Sequence, residues 1–339
     1  MTTYRKLSGK AVRTVTTNPT DDAAEGQIWF NSTDSKFKSV VAGEAWTTSA
    51  NLGTARYSAA AFGSQTAGVV SMGTIYPGTS TNVTEHYNGT GWSSAANYPA
   101  SGTGGGGAGT QTAGLIAGGQ APRANEAYEY DGTSWSETGD LPVAADNISF
   151  CGEGTQTNII GAIGRTPSTG NSGTNTSVTY NGSVFSSGPN LNTARMYGNQ
   201  AGSGTGTAGL IWGGFIDPSP NAMTNTEEYD GSSWSNGGNL NVASGFPNGW
   251  GTQTNTVTQV QSPNYAGSER YDGTSWTALP DIGVTTPGGL YGAAAGSTGD
   301  AGWVTSLSPT INKTVEFTRS TNVITAGAWA SGGALPTAP

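Results

Sequence analysis

The sequence predicts an all-β chain: a six-bladed β-propeller behind a short extended and hairpin N-terminal arm. Two phased markers and the absence of helical patterning predict it. The first marker is a Tyr-Asp/Asn-Gly turn followed by an aromatic. It occurs at Tyr87-Asn88-Gly89 with Trp92, Tyr130-Asp131-Gly132 with Trp135, Tyr180-Asn181-Gly182 with Phe185, Tyr229-Asp230-Gly231 with Trp234, and Tyr271-Asp272-Gly273 with Trp276. Trp46 and Trp329 mark two partial copies, and successive aromatics lie 46, 43, 50, 49, 42 and 53 residues apart. That spacing is the length of a four-stranded blade and too long for most helical or solenoid repeats. The second marker, in the same phase, is Gly-Ser/Thr-Gln-Thr at Gly63, Gly109, Gly154 and Gly251, each opening a short apolar run. Nowhere does apolar spacing of 3.6 residues persist between capping signals.

The elements follow in order. Residues 4–17 read as extended, and Pro19 with Asp21-Asp22 breaks them. A hairpin is expected from Gln27-Ile28-Trp29-Phe30 to residues 37–41, around a turn at residues 31–35. The Trp46 strand is left over, to close the ring or extend a blade. First strands of the blades are expected near residues 57, 104, 148, 198, 245 and 289. Within a unit, Asp-Gly or Asn-Gly sets the hairpin between third and fourth strands, because both central residues must tolerate positive φ. The following Trp is expected to be buried between neighbouring blades. Most units place a Leu or Tyr six residues later, as in Trp92 to Tyr98 and Trp135 to Leu141. Gly, at 54 of 339 residues, suits strands crowded round an axis, and ten Trp with thirteen Tyr in phase argue against a disordered chain.

Charge divides the chain at residue 45. Residues 1–45 hold six of the thirteen basic residues and are near neutral, whereas residues 46–339 carry seven basic and seventeen acidic groups. The reading is therefore an attachment arm, 1–45, and a propeller, 46–339. The acidic body is not expected to hold nucleic acid. Met1-Thr2-Thr3-Tyr4-Arg5 does not open a secretory signal, no apolar run is long enough to span a membrane, and Cys151 has no disulfide partner. Yet the surface composition, poor in charge and rich in Ser, Thr, Asn and Gly, is of extracellular type. A virus particle assembled in the host cytoplasm and released by lysis reconciles the two.

Two resemblances sharpen this. Glu269-Arg270-Tyr271-Asp272 with Trp276 and Leu279-Pro280, and the paired glycines Gly118-Gly119 and Gly213-Gly214, resemble kelch-type β-propellers over residues 46–339. Gly161-Ala162 and Met72-Gly73 depart from the glycine pair. Glu25-Gly26-Gln27-Ile28-Trp29-Phe30-Asn31-Ser32-Thr33, with Lys36-Phe37-Lys38, is similar to a segment that begins many tailed-phage fibre and virion proteins, ahead of a surface-exposed domain. Together they imply a virion surface protein, as fibre, spike or capsid decoration.

Chemistry is sparse. One histidine, His86, and one cysteine build neither a zinc site nor a triad, and the copper set of kelch-type oxidases cannot be placed. No metal or cofactor is expected. A propeller glycosidase needs two carboxylates, but Asp131 and its counterparts read as turn residues, with Asn88 and Asn181 in two copies. What remains is non-enzymatic recognition of a host-surface glycan or protein receptor, with pure structural decoration and polysaccharide hydrolysis as alternatives. The candidate contact residues are Tyr76, Trp212, Phe215, Phe246, Trp250 and Tyr291, which lie outside the repeat aromatics or near the long loops at 74–81, 165–176 and 215–224. Other virion proteins through the arm, and further copies of the chain in the virion, are the expected partners.

Overall fold

The computed structural model describes residues 13–17, 28–33, 35–119, 122–170, 172–196, 202–216, 221–260, 266–284, 292–306 and 311–325. Among them there is no helix; the strands form five four-stranded sheets, one six-stranded sheet and two small hairpins. Blade 1 runs Ala60–Ser64, Ala67–Ser71, Thr84–Tyr87, Trp92–Ser94. Blade 2 runs Gly106–Thr110, Ala113–Ala117, Ala127–Tyr130, Trp135–Glu137. Blade 3 runs Ser149–Cys151, Ile159–Ala162, Ser177–Tyr180, Phe185–Ser187. Blade 4 runs Gly202–Thr205, Ala208–Trp212, Thr226–Tyr229, Trp234–Asn236. Blade 5 runs Asn248–Thr252, Asn255–Val260, Gly267–Tyr271, Trp276–Leu279. First strands of successive blades adjoin all the way round, with Ala293–Thr298 of blade 6 meeting both Asn248–Thr252 and Ala60–Ser64. Six blades therefore close a ring, as the repeat spacing predicts.

The sixth blade is split across the sequence. Its first three strands are Ala293–Thr298, Ala301–Thr305 and Val315–Thr325, and its fourth is Lys36–Thr48. The Trp46 strand is thus the missing outer strand. Trp46 packs tilted against Phe317 at 5.2 Å, the place a hairpin tyrosine holds elsewhere. The partial copy at Trp329 lies outside the described residues. By contact density the chain divides into residues 45–318, which hold the ring, and residues 1–44 with 319–339. In the second unit Ile28–Asn31 pairs antiparallel with the start of Lys36–Thr48, the hairpin expected there, and Arg13–Val15 pairs parallel with Ile28–Asn31.

Each complete hairpin is built alike. Asp131 Oδ1 accepts the amides of Thr133 and Ser134, both at 2.7 Å, while Gly132 takes a φ of 94° that a side chain would strain. These amides, Ser134's first, hold the Asp131 carboxyl well below its ordinary range. The turn sets Tyr130 opposite Trp135, and in the five hairpins this ring pair lies 4.5–5.1 Å apart. Trp234 and Trp276 are buried as expected, and so is Phe185; Trp92 and Trp135 are only half-buried, short of the expected burial.

The same positions latch neighbouring blades. Trp276 Nε1 donates to Thr226 of blade 4 at 2.9 Å, Trp92 to Thr314 of blade 6 at 2.9 Å, and Trp46 to Ser268 of blade 5 at 3.2 Å. Gln111 reaches back to the carbonyls of Gly68 and Tyr87, and Gln253 to those of Gly209 and Tyr229. Gln65 bonds Phe317 across the closing seam. Tyrosine hydroxyls complete the set: Tyr87 donates to Glu316, Tyr180 to Glu129 and Tyr271 to Glu228. Burial, then the glutamate acceptor, pushes Tyr87 and Tyr271 up to about 12. His86 occupies the corresponding glutamate position in blade 1 and bonds the Tyr130 hydroxyl at 2.8 Å, so the lone histidine serves a blade joint.

Candidate functional site: a cleft between blades 1 and 2

The described aromatic residues proposed from the sequence stand in different settings. Trp212 and Trp250 are fully buried. Each lies where the next blade offers glycine: a Cβ on Gly249 would stand 2.7 Å from the Trp212 ring, and one on Gly302 2.1 Å from that of Trp250. They are packing between blades and present no face to a ligand. Phe215 is buried against half-buried Phe246, edge to face at 5.0 Å. Tyr76 alone of the described candidates is open, at 63% exposure, in the hairpin of Thr74–Ile75 and Thr79–Ser80. Tyr291 lies outside the described residues.

The informative geometry is on the face where second-to-third-strand loops meet the connectors between blades. Backbone bridges stitch the two, as in Tyr57 to Thr74, Thr81 to Gly102, Ala124 to Ala145 and Thr174 to Arg195. Beneath this belt, blades 1, 4 and 5 carry a glutamate two residues before the hairpin tyrosine. Glu85 accepts the amides of Gly53 and Thr54 at 2.6 and 3.1 Å, and Glu227 those of Asn192 and Thr193 at the same distances. Glu269 takes those of Asn241 and Val242, both at 2.9 Å. In blades 1 and 4 a buried arginine completes the group, Arg56 to Glu85 and Arg195 to Glu227, each at 2.7 Å. Arg195 Nη1 also caps the Gly213 carbonyl at 2.9 Å.

Blades 2, 3 and 6 lack the carboxylate; Tyr128, Val178 and Val315 stand there. In blades 2 and 3 the connector residue that would donate first is Pro99 or Pro142, whereas in blade 6 it is Gly283, next to Ile282. A proline nitrogen has no hydrogen to satisfy, so the acceptor below it becomes dispensable. Blade 3 fills the vacated space with Ala145, Ile163 and Val178, and blade 6 uses Ile282, Val284 and Val315. In blade 5 Ser244 replaces the arginine, and the Phe215 ring packs over Gly245.

Blade 2 leaves the space open. Gly102 stands where Arg56 and Arg195 stand in their blades, and a cleft of about 230 Å³ lies there. Tyr98, Tyr128, Gly118, Asn125 and Glu126 line it with Gly102. Tyr98 replaces the leucine or isoleucine of the other units and meets Tyr128 edge to face at 5.2 Å. Burial, then Tyr128 and Glu126, lifts the Tyr98 phenol far above its ordinary value, so it stays protonated. Asn125 Nδ2 donates to Asp140 at 3.2 Å. Arg123 crosses the rim with its guanidinium engaged elsewhere: it donates to the carbonyls of Thr166 and Gly170 at 3.1 and 2.6 Å and lies 3.3 Å from Asp146. Asp146 in turn takes a bidentate pair from Arg165, at 3.0 and 2.8 Å.

Among the described residues no three His, Cys, Asp or Glu side chains are grouped to hold a metal, and no helix is long and apolar enough to cross a membrane. No protein-family model matches the chain, and no curated protein matches it. The cleft residues were legible only as irregularities of the repeat: Tyr at a leucine position, Tyr at a glutamate position, Gly at an arginine position. A search for loop aromatics passes over them, because Tyr98 and Tyr128 look like repeat residues.

Proposed function

We propose that this chain is a non-enzymatic recognition module on the surface of a tailed-phage particle, as fibre, spike or capsid decoration. In this reading it is a kelch-type propeller that contacts a protein or glycan of the host surface through the loop face of blades 1 and 2. The carrying observation is the cleft itself. Among the described residues the other blades fill or cover the position below the connector; blade 2 leaves about 230 Å³ lined by two tyrosines, an amide, a carboxylate and Arg123, whose guanidinium is engaged by Thr166, Gly170 and Asp146. A volume below the roughly 300 Å³ of small-molecule pockets suits one side chain or one sugar unit at a time. Glu126 is the single carboxylate in the lining, and glycoside hydrolysis uses two facing ones. The Gly26 to Phe30 resemblance supports the virion assignment.

The test is competition. Purified protein should bind susceptible cells and slow particle adsorption, and Tyr128→Ala should weaken both. Undiminished adsorption in saturating protein would favour pure decoration. Release of reducing sugar from envelope polysaccharide would favour the glycosidase.

A further inference from the structure

We propose that the blade 2 cleft binds a guanidinium group, the arginine side chain of a partner polypeptide, seated where blades 1 and 4 seat their own Arg56 and Arg195. This rests on reading the cleft as a recognition site. Gly118 and Glu126 are the register equivalents of Gly213 and Asn225: Gly118 N donates to the Glu126 carbonyl at 3.0 Å, as Gly213 N does to Asn225 at 3.0 Å. In blade 4 those two carbonyls face Arg195 Nη1, at 2.9 and 3.5 Å. Gly102, at the register position of Arg195, sends no side chain toward their counterparts in blade 2.

What replaces the lost Arg–Glu pair is chemically suited to a cation from outside. Tyr128 exchanges an internal carboxylate for an aromatic ring, and a guanidinium over a ring face is attracted to its quadrupole. Glu126, in the lining, supplies the formal counter-charge that a partly desolvated cation needs. A planar guanidinium can donate to carbonyls and carboxylate together, which an ammonium point charge does less well. Arg123 does not occupy the position, since its guanidinium is held by Thr166, Gly170 and Asp146.

The test titrates N-acetyl-arginine amide into the full chain, with N-acetyl-lysine amide as control, followed by tyrosine and tryptophan fluorescence and by NMR. Saturable binding in about the millimolar range is expected for one side chain, with the lysine probe at least about tenfold weaker. Gly102→Arg supplies the guanidinium internally and should abolish probe binding. Should that variant misfold, Glu126→Gln, at an exposed position, should weaken the probe about tenfold with little change in thermal midpoint. No saturation by the arginine probe, or saturation untouched by both substitutions, overturns the inference. If the arginine probe fails but Gly102→Arg still blocks binding to host cells, the guanidinium is wrong and the recognition reading stands. If Gly102→Arg folds and leaves cell binding intact, both fail.

Discussion

Trp276 shows how one residue serves several interactions. Its ring packs tilted against Tyr271 at 5.0 Å and Trp212 at 5.6 Å, and its indole nitrogen donates to Thr226 of the preceding blade. It is 5% exposed, whereas Trp135 at the same register is half-buried and donates to the Ala96 carbonyl. Trp276→Ala should therefore cost about 3–5 kcal/mol, and Trp135→Ala measurably less, by denaturant unfolding. Equal losses would mean that the blade joint, not burial, sets the energy. Glu153 gives a second residue-scale expectation. It lines an axial cavity of about 10 Å³ with Ala61, Ala108, Phe150 and Ala294, room for one water at most. Burial raises its carboxyl well above the ordinary 4.5, and an N–H bond from Gly251 offsets only part. The folded state therefore favours the protonated form. Its contribution to stability is complete below about pH 4.5 and is lost as pH rises through the raised value. Glu153→Gln should stabilise the fold at pH 7–8 and make little difference at pH 4, read from thermal midpoints across pH. A variant less stable at pH 8 would show that the carboxylate form is needed in the channel.

At the scale of the element, the blade is a repeated hairpin with a choice of filling beneath its connector. Glutamate with two amide donors, glutamate with arginine, or proline with an apolar residue are alternative solutions to one satisfaction problem. Glu227→Val should cost about 3–5 kcal/mol, because it strands Arg195 and two amides in the core. Adding Arg195→Ala and Asn192→Pro copies Ala145, Pro142 and Val178 of blade 3 and should recover part of that loss. A triple variant worse than the single one would show that blade 4 cannot adopt the blade 3 solution. This coupling also explains what the sequence disclosed. Hairpin turns, blade count and first strands were legible, the strands beginning within one to four residues of expectation, because Asp-Gly turns and phased tryptophans are local signals. The cleft was not, since it depends on Gly102, Pro99 and Tyr128 acting on one small volume from different elements. Trp212 and Trp250 misled for the converse reason: their partners are glycines of the next blade, invisible in a single unit.

At the scale of the whole molecule, a ring of blades must join the two ends of its chain. Here Lys36–Thr48 completes the sheet begun by Ala293–Thr298. Trp46 makes the joint specific: it meets Trp250 edge to face at 5.9 Å, packs tilted against Phe317 and donates to Ser268. The N-terminal sequence thus carries two tasks at different positions, closure near Trp46 and, in our proposal, attachment further upstream. Arg13–Val15 ends the sheet order, and an edge strand of that kind can accept a strand from a neighbour through backbone hydrogen bonds. Two truncations separate the tasks. Removing residues 1–25 keeps Ile28–Asn31 and Lys36–Thr48, so the unfolding midpoint should stay close to that of the full chain while incorporation onto particles is lost. Removing residues 1–48 deletes the outer strand of blade 6 with Trp46 and exposes the edge of Val315–Thr325. Cooperative unfolding should then give way to a broad, early transition, together with aggregation through the opened edge. Full incorporation of the shorter deletion would end the anchoring proposal and leave the propeller unaffected. A cooperative, soluble fold for the longer deletion would mean that the ring holds without its N-terminal strand, and that packing among the first strands suffices for closure.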